Sequence, residues 1–303
     1  MNNLKKLGLT ALAGSLVTSA AYAGALDVSG SAKITYKSQD ETEVTGNSFS
    51  TGKGITFSGS GELENGFTMS YGYTMTDAAF SSTSVNIDMG DAGTIGVSNS
   101  AGQAGLPAYD SVIPTAGEEV WDDVDADDNG IVTHSKVNSI DYMGSFAGVG
   151  ISAAYVNNGS GDSSDSSIVF TYSPMDGMEV GYGTGEDGKS LDLMTAFAKY
   201  TYNNVTLAYQ MSELDNAGST ADEESDAYGI SLAVNENLSV SLGRHEVDMG
   251  AGNEDEESSG ISASYTTGGM TITGKMENAD NVDNSNNANA DQEFWGLTAA
   301  FAF

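Results

Sequence analysis

Residues 26–37 read LDVSGSAKITYK, and this stretch decides the fold. From Leu26 to Tyr36 every second residue is apolar or small, whereas the residues between them are polar. A repeat of two residues is typical of a β-strand with one dry face and one wet face. The stretch therefore predicts a strand that separates an apolar environment from water.

The same alternation recurs to the end of the chain, and we count sixteen such segments. Short turns rich in Asn and Gly join the segments at one end, and longer acidic loops join them at the other. The longest loop covers residues 99–138 and follows the fifth segment. All 3 prolines fall outside the segments, which supports the strand assignment because proline cannot donate a hydrogen bond to a ladder.

The two faces of the segments favour a membrane barrel over a soluble β-sandwich. In a sandwich the polar face of each strand meets water and carries many charges. Here the polar faces are mostly Ser, Thr, Gly and Asn, and the charge is concentrated in one set of loops. An even strand number with alternating short and long connections is typical of outer-membrane barrels, and closure removes strand edges that lipid would not tolerate. The sequence predicts an all-β fold, a transmembrane antiparallel 16-stranded β-barrel.

The first 23 residues have the pattern of a secretory signal peptide. Lys5 and Lys6 precede an uncharged, mostly apolar run, and Ala21-Tyr22-Ala23 fits the small-x-small cleavage pattern. The run is shorter than the roughly 20 residues that a transmembrane helix needs. We expect residues 1–23 to be removed during export and residues 24–303 to form a single barrel domain.

The composition excludes several classes of protein. With no cysteine in 303 residues, the chain is neither a disulfide scaffold nor a cysteine-ligated metal protein. Its 10 Lys+Arg against 43 Asp+Glu, a net charge of −33, exclude a nucleic-acid partner. The only histidines are His134 and His245, and the sequence does not place a serine and an orienting acid with either, so we do not expect an enzyme.

From residue 24 onward the chain resembles the Gram-negative general-diffusion porins. The features that carry the resemblance are the sixteen segments, the longest loop after the fifth, and the terminal Phe303. The resemblance implies that the long third loop folds into the lumen and forms the constriction. It also implies a homotrimer in the outer membrane of a Gram-negative bacterium that passes small hydrophilic solutes passively.

The C-terminal segment resembles the assembly signal of that family, an aromatic terminal residue with apolar residues at alternate positions. The residues concerned are Gly296, Phe301 and Phe303. This resemblance implies that the barrel-assembly machinery is a partner, in addition to the lipid of the outer membrane. The alternative is that Phe303 only packs among the aromatic residues at the edge of the membrane.

A barrel of this width is too wide for its own side chains to fill, so its lumen holds water and its narrowest ring controls passage. Side chains alternate between the inner and outer face along each strand. This alternation places three lysines on the inner wall, whereas Arg244 falls on the same face as lipid-facing Leu242. The acids of the third loop outnumber these lysines, so we expect a preference for cations. The candidate constriction residues are Asp110, Glu118, Glu119, Asp122, Asp123, Lys33, Lys37 and Lys275.

The third loop also contains the start of a calcium-binding pattern. Asp125, Asp127 and Asn129 occupy positions 1, 3 and 5, Gly130 allows the sharp turn at position 6, and the carbonyl of Ile131 takes position 7. Position 12 is a lysine instead of the usual glutamate, so a nearby acid such as Asp123, Glu118 or Glu119 would have to complete the set. We expect at most a structural Ca²⁺ that stiffens the loop and no required cofactor.

The alternative function is a secreted acidic calcium-binding adhesin or a surface-layer β-protein. Such a protein would share the signal peptide and the acidic loops. It has no need of a terminal aromatic residue or of sixteen evenly alternating strands. The requirement for detergent distinguishes the two, because an adhesin stays soluble without it.

Overall fold

The computed structural model describes residues 26–39, 48–77, 79–124, 126–131, 134–157, 164–188, 191–216, 222–250, 254–285 and 290–303. The strands form one closed barrel in which each strand pairs with its neighbours in the chain and the first pairs with the last. Every pairing is antiparallel, as in the closing pair, where Ile34 lies opposite Ala299. The prediction of a 16-stranded antiparallel barrel is confirmed.

The strands are 6 to 14 residues long. In chain order they are β1 (Asp27–Gln39), β2 (Phe49–Glu62), β3 (Thr68–Thr76), β4 (Ala79–Asp88), β5 (Thr94–Asn99), β6 (Ser139–Phe146), β7 (Val149–Val156), β8 (Asp165–Tyr172), β9 (Met178–Asp187), β10 (Leu191–Tyr202), β11 (Val205–Asn216), β12 (Glu223–Ala233), β13 (Leu238–Asp248), β14 (Glu256–Thr267), β15 (Met270–Asp280) and β16 (Gln292–Ala302). Short 3-10 turns occur at Gly90–Ala92, Leu106–Ala108 and Val282–Asn284. Within the described residues, no helix has the length and hydropathy of a membrane-spanning segment.

The two faces of each strand differ as the alternation indicates. Large apolar side chains on the outer face are exposed, among them Val28, Ile55 and Leu297. The inner face carries small residues, serine and glycine among them, in register across neighbouring strands, such as Ser58, Gly72 and Ser84. Outside the barrel, lipid requires apolar side chains, and inside it water requires polar ones, so every strand shows the same repeat.

Several strands extend beyond the ends that the alternation predicts. The sequence suggests a loop over residues 212–226, but β11 continues to Asn216 and β12 already begins at Glu223. The ladder continues because backbone hydrogen bonds do not depend on side-chain polarity, whereas the apolar pattern ends where the lipid ends. Arg244 lies in such an extension and forms outward ion pairs with Glu246 at 3.3 Å and Glu257 at 2.5 Å.

The described residues of the third loop (100–124, 126–131 and 134–138) lie inside the barrel, as expected. Its buried apolar residues form the core of the molecule together with inward side chains of the strands. One cluster joins Leu106 and Ile131 of the loop to Val169, Leu193, Phe197 and Leu214 of β8, β10 and β11. A second joins Val124 to Ala279, Val282 and Phe294 at β15 and β16. The loop therefore lies against the wall from β8 round to β16 instead of hanging free in the lumen.

The signal-peptide prediction concerns residues that lie outside the described part of the chain. It therefore stays a prediction, as does the exact start of the barrel domain at residue 24. The termini of the described chain meet at the barrel closure, where Gly30 and Phe303 exchange two backbone hydrogen bonds of 2.6 and 3.0 Å. This contact places the C-terminal residue against β1.

Candidate pore constriction

The first part of the third loop is anchored to the wall by buried polar groups. The carboxylate of Asp141 on β6 accepts hydrogen bonds from Ser98 at 2.6 Å and from Gln103 of the loop at 2.9 Å. Further along, the backbone N–H groups of Gly105 and Leu106 donate to the hydroxyls of Ser152 and Ser167. Because these groups are buried, leaving them unpaired would be costly, and this fixes the loop at β6 to β8.

Glycine on β9 makes room for the first apolar anchor of the loop. A Cβ added to Gly183 would lie 2.8 Å from Cδ2 of Leu106, and one added to Gly185 would lie 3.0 Å from Cδ1 of the same residue. A side chain at either position would overlap with Leu106. The inward glycines of β9 thus let the loop backbone approach the wall closely.

The middle of the loop crosses the wall from β11 to β15. Gln210 on β11 accepts from the N–H of Val112 at 2.9 Å and donates to the carbonyl of Tyr109 at 2.8 Å. Ser241 on β13 accepts from the N–H of Ala116 at 2.8 Å. Trp121 then lies over His245 of β13, with ring centroids 4.4 Å apart. These contacts hold residues 112–121, which we call the crossing segment, close to the wall.

Beyond the crossing segment, Asp123 binds two lysines of the wall. Its carboxylate contacts Lys37 of β1 and, at 2.5 Å, Lys275 of β15. Lys275 also pairs with Glu277 at 3.2 Å and with Glu118 at 3.4 Å. Both ammonium groups lie over the ring of Phe294, at 5.5 and 5.3 Å from its centroid. We call this group the lysine cluster.

The two neighbouring aspartates of this part of the loop have opposite electrostatic environments. Burial alone would raise the pKa of Asp123, but hydrogen bonds and charges from Lys275 and Lys37 outweigh it and hold the pKa below its usual range. Asp122 is exposed at the loop surface, but its pKa is raised to about 7. The larger cause is desolvation of the carboxyl by neighbouring protein atoms, and the second is the negative charge of Glu119. One aspartate therefore neutralises lysines, and the other carries charge that changes near neutral pH.

An acidic cavity of about 480 Å³ lies beside Asp122. Its lining includes Asp110, Glu119 and Asp128 as well as the indole of Trp121. Asp110 pairs with Lys136 at 3.2 Å. Burial raises the pKa of Asp128, whereas its hydrogen bond from Gly130 lowers it in part. The cavity therefore concentrates negative potential on the lumen side of the loop.

Lys33 lies apart from this group. It faces inward on β1, opposite Gly52 and Ala300, and within the described ranges it forms no ion pair. A cavity of about 760 Å³ lies against it and against Ser31 and Thr56. Of the lysines expected at the constriction, the structure brings Lys37 and Lys275 to the loop acids and leaves Lys33 on the open side of the lumen.

The calcium motif is only partly within the described residues, because Asp125 lies outside them. The side chain of Asn129 donates to the carbonyl of Asp110 and accepts from the N–H of Ile131 at 3.3 Å. The carbonyl of Ile131 accepts from the N–H of His134 at 3.2 Å. Across the described part of the chain, no three metal-ligating side chains are grouped to hold an ion.

The calcium site stays a prediction, and Asp127→Ala tests it. If the motif binds Ca²⁺, the wild type should melt at a higher temperature in 10 mM calcium, since stabilisation grows as the logarithm of ligand concentration over Kd, and a site with a Kd of about 1 mM gains about 1.4 kcal/mol. The variant should lose that gain. Identical melting of the wild type with and without calcium would remove the site from consideration.

Sequence reasoning missed the residue that fixes the far end of the loop. Glu256, the first residue of β14, is buried, and its two carboxylate oxygens accept from the N–H groups of Asp127 at 2.6 Å and Asp283 at 2.9 Å. The sequence did indicate that Glu256 is unusual. It falls on an inward-facing position, where most residues are Ser, Thr or Gly. Its partners, however, depend on the path of two loops.

One histidine lies within the third loop and the other lies against it. His134 is fully buried near its return to β6, and burial lowers the pKa of this imidazole. Its neighbour Ser135 donates from its N–H to Asp165 of β8 at 2.8 Å. His245 is the residue beneath Trp121. The ring of His245 therefore packs against the loop, whereas the ring of His134 is buried within it.

The proposed assembly signal lies on the closing strand. Phe301 is on the outer face of β16, and Phe303 is 80% exposed as a whole residue. Gly296 faces inward, and a Cβ there would lie 2.7 Å from the ring of Phe294. An exposed terminal ring is available to a partner or to lipid, so recognition by the assembly machinery stays a prediction.

Comparison with known proteins identifies the class. The family model described as Gram-negative porin matches residues 8–237, and the chain belongs to that family. A search of curated proteins finds no match.

Solved structures share the fold. A mutant of the porin of Rh. blastica is 14% identical, with 92% of this chain and 100% of that chain covered and a TM-score of 0.64. In-vitro folded OmpT, an outer membrane protein of Vibrio cholerae, is 11% identical, with 92% and 97% covered and a TM-score of 0.68. The protein is thus an outer-membrane porin of a Gram-negative bacterium.

Proposed function

We propose that the channel of this porin passes small hydrophilic solutes passively and prefers cations. The observation that carries the proposal is the unequal pairing of charges along the lumen. Family membership and the closed barrel favour a channel over the secreted adhesin. Assembly as a homotrimer, insertion by the barrel-assembly machinery and contact with outer-membrane lipid are proposed from the resemblance.

The lumen offers a polar path for solutes. The third loop packs against the wall from β8 to β16, and the inward residues of β1 to β3 on the other side are mainly Ser, Thr and Gly. Small hydroxyl side chains bind water without closing the channel, so a hydrated solute can pass beside the loop. This arrangement supports passive diffusion without a dedicated binding step.

The cations of the lumen are mostly offset by acids. Lys37 and Lys275 pair with Asp123, Lys136 pairs with Asp110, and Lys199 pairs with Glu179 at 3.4 Å. In contrast, Glu119, Asp122 and Asp128 form no ion pair within 4 Å among the residues that the structure describes. A channel lined by uncompensated negative charge concentrates cations and repels anions.

Neutralising the loop acids should reduce the preference. We expect this in the triple variant Glu118→Gln, Glu119→Gln, Asp122→Asn. Its cation preference, read from the reversal potential in a KCl gradient, should fall several-fold, so that the potential moves towards the anion side. The effect acts over a Debye length of about 8 Å at 0.15 M salt, so acids near the narrowest ring dominate. The measurement is made in dilute KCl without divalent cations, which would screen the carboxylates.

A matched control neutralises three exposed acids on the outer face, Glu186→Gln, Asp192→Asn and Glu224→Gln. This control removes the same charge from outside the lumen and should leave the reversal potential near that of the wild type. A wild-type reversal potential near zero or of anion sign would refute the cation preference and would indicate that lysines such as Lys33 dominate.

A further inference from the structure

Three glycines form a smooth patch on the inner wall. Gly229 of β12, Gly243 of β13 and Gly260 of β14 are directly opposite one another in the strand register, and all face the lumen. We call them the glycine patch. Glycine in a strand interior weakens the strand and commonly marks a place where another part of the chain approaches closely. Three such residues side by side leave a surface without side chains.

The crossing segment of the third loop fills this patch with two apolar side chains. A Cβ on Gly243 would lie 2.8 Å from Cγ1 of Val120, and one on Gly260 would lie 3.1 Å from the same atom. A Cβ on Gly229 would lie 2.6 Å from Cγ2 of Ile113. The space that these glycines leave empty is therefore occupied by the loop.

The depth of the crossing segment determines where its acids lie. Glu118 and Glu119 precede Val120, and Asp122 follows Trp121. The hydrogen bond from Ala116 to Ser241 holds the same segment against β13. Any outward displacement of Val120 would move the backbone and these carboxylates towards the open side of the lumen.

We propose that the glycine patch sets the depth of the crossing segment and thereby the cross-section of the channel. The inference rests on the proposed function, because it names what fixes the width of that channel. Gly243 is the positioning residue at its centre, since a Cβ there meets Val120 first and has no other neighbour closer than 3.8 Å. A methyl group at this position would lift the loop by a few tenths of an ångström or more.

The test begins with Gly243→Ala in a planar bilayer. Single-channel conductance should fall, about 1.5-fold, because current follows the open cross-section, while the cation preference is kept. Combining it with Val120→Ala should restore the conductance, since that change removes both methyl groups that the new Cβ would meet. Gly72→Ala is the matched control, because its Cβ would meet only Ser84 Oγ at 3.5 Å and no atom of the loop. It should behave as the wild type.

A second measurement reports the depth of the loop independently of conductance. The chain has 2 tryptophans, Trp121 beside Val120 and the outward Trp295. In a Trp295→Phe background, the emission of the nearly buried Trp121 should shift to the red in Gly243→Ala and return in the double variant. This readout also separates a displaced loop from a general loss of stability, which the double variant would not reverse.

The outcomes distinguish this inference from the proposed function. If the wild type conducts but Gly243→Ala leaves conductance and Trp121 emission unchanged, the inference is wrong. A higher conductance would also overturn the inference, since that would mean that the loop detaches instead of narrowing the channel. Failure of Val120→Ala to restore both conductance and Trp121 emission would overturn it as well. A wild type that does not conduct would refute the proposed function, while Trp121 emission would still decide the role of the patch.

Discussion

Replacement of Asp123 by Asn should lower the cation preference of the channel several-fold and destabilise the third loop. The substitution removes the acid that holds Lys37 and Lys275 together. Lys37 then has no acidic partner within 4 Å in the described ranges, so a positive charge is exposed beside the crossing segment. The loop also loses its tie to β1.

The size of the expected destabilisation follows from the burial of the ion pair between Asp123 and Lys275. The side chains of Lys275 and Asp123 are only 9% and 12% exposed, and removal of one partner from a buried ion pair costs about 3–5 kcal/mol. Lys275 keeps Glu277 and Glu118 as partners. The loss of stability should therefore lie near the lower end of this range. Reversal potential in a KCl gradient measures the charge effect, and melting temperature in detergent measures the stability effect.

Asp77→Asn serves as the control for Asp123→Asn. It makes the same chemical change in the pair of Asp77 and Lys53, whose side chains are 53% and 66% exposed. Solvent-exposed pairs contribute about 0–1 kcal/mol, so this variant should be close to the wild type in both measurements. If Asp123→Asn also left the reversal potential and the melting temperature unchanged, the lysine cluster would have no role in the constriction.

Cation preference should weaken as the pH falls from 8 to 6. The pKa of Asp122 is raised to about 7 by its crowded position and by Glu119, so its carboxylate takes up a proton within this range. Loss of a negative charge beside the acidic cavity lowers the local concentration of cations. Reversal potentials recorded at a series of pH values would show a step centred near pH 7.

The same group links pH to the stability of the docked loop. Its pKa in the docked loop lies above the ordinary value of 3.8, so the docked state binds this proton more tightly than a detached loop would. The contribution of Asp122 to docking is therefore complete at pH values below 3.8 and is lost as the pH rises through about 7. Asp122→Asn should reduce the step in reversal potential between pH 8 and 6, and an unchanged step in this variant would assign it to another carboxyl.

The alternating sequence predicts the barrel because lipid and water act on every strand separately. Leu26 to Tyr36 shows the pattern within a single segment, so no knowledge of the neighbouring strands is needed. Strand ends are harder to predict, as at Asn216 and Glu223, because above the lipid the ladder continues with polar side chains on both faces. Parity places Lys37 and Lys275 on the inner wall for the same local reason.

The path of the third loop could not be read from the sequence. The glycine patch becomes visible only when the register places Gly229, Gly243 and Gly260 side by side, because the lengths of the turn and the loop between their strands determine which residues face each other. Likewise, nothing in the sequence near Asp123 indicates that it pairs with strands at both sides of the barrel closure. These contacts depend on the tertiary fit of a long irregular segment, for which no simple periodicity exists.

Single-channel recording of the purified wild type in a planar bilayer tests the central claim most directly. We expect conductance to rise in discrete steps, each proportional to the bulk conductivity of KCl, because ions cross a water-filled channel. In a KCl gradient the same channels should show a reversal potential with the sign of potassium permeation. Correctly folded protein that inserts without producing conductance steps would contradict the account.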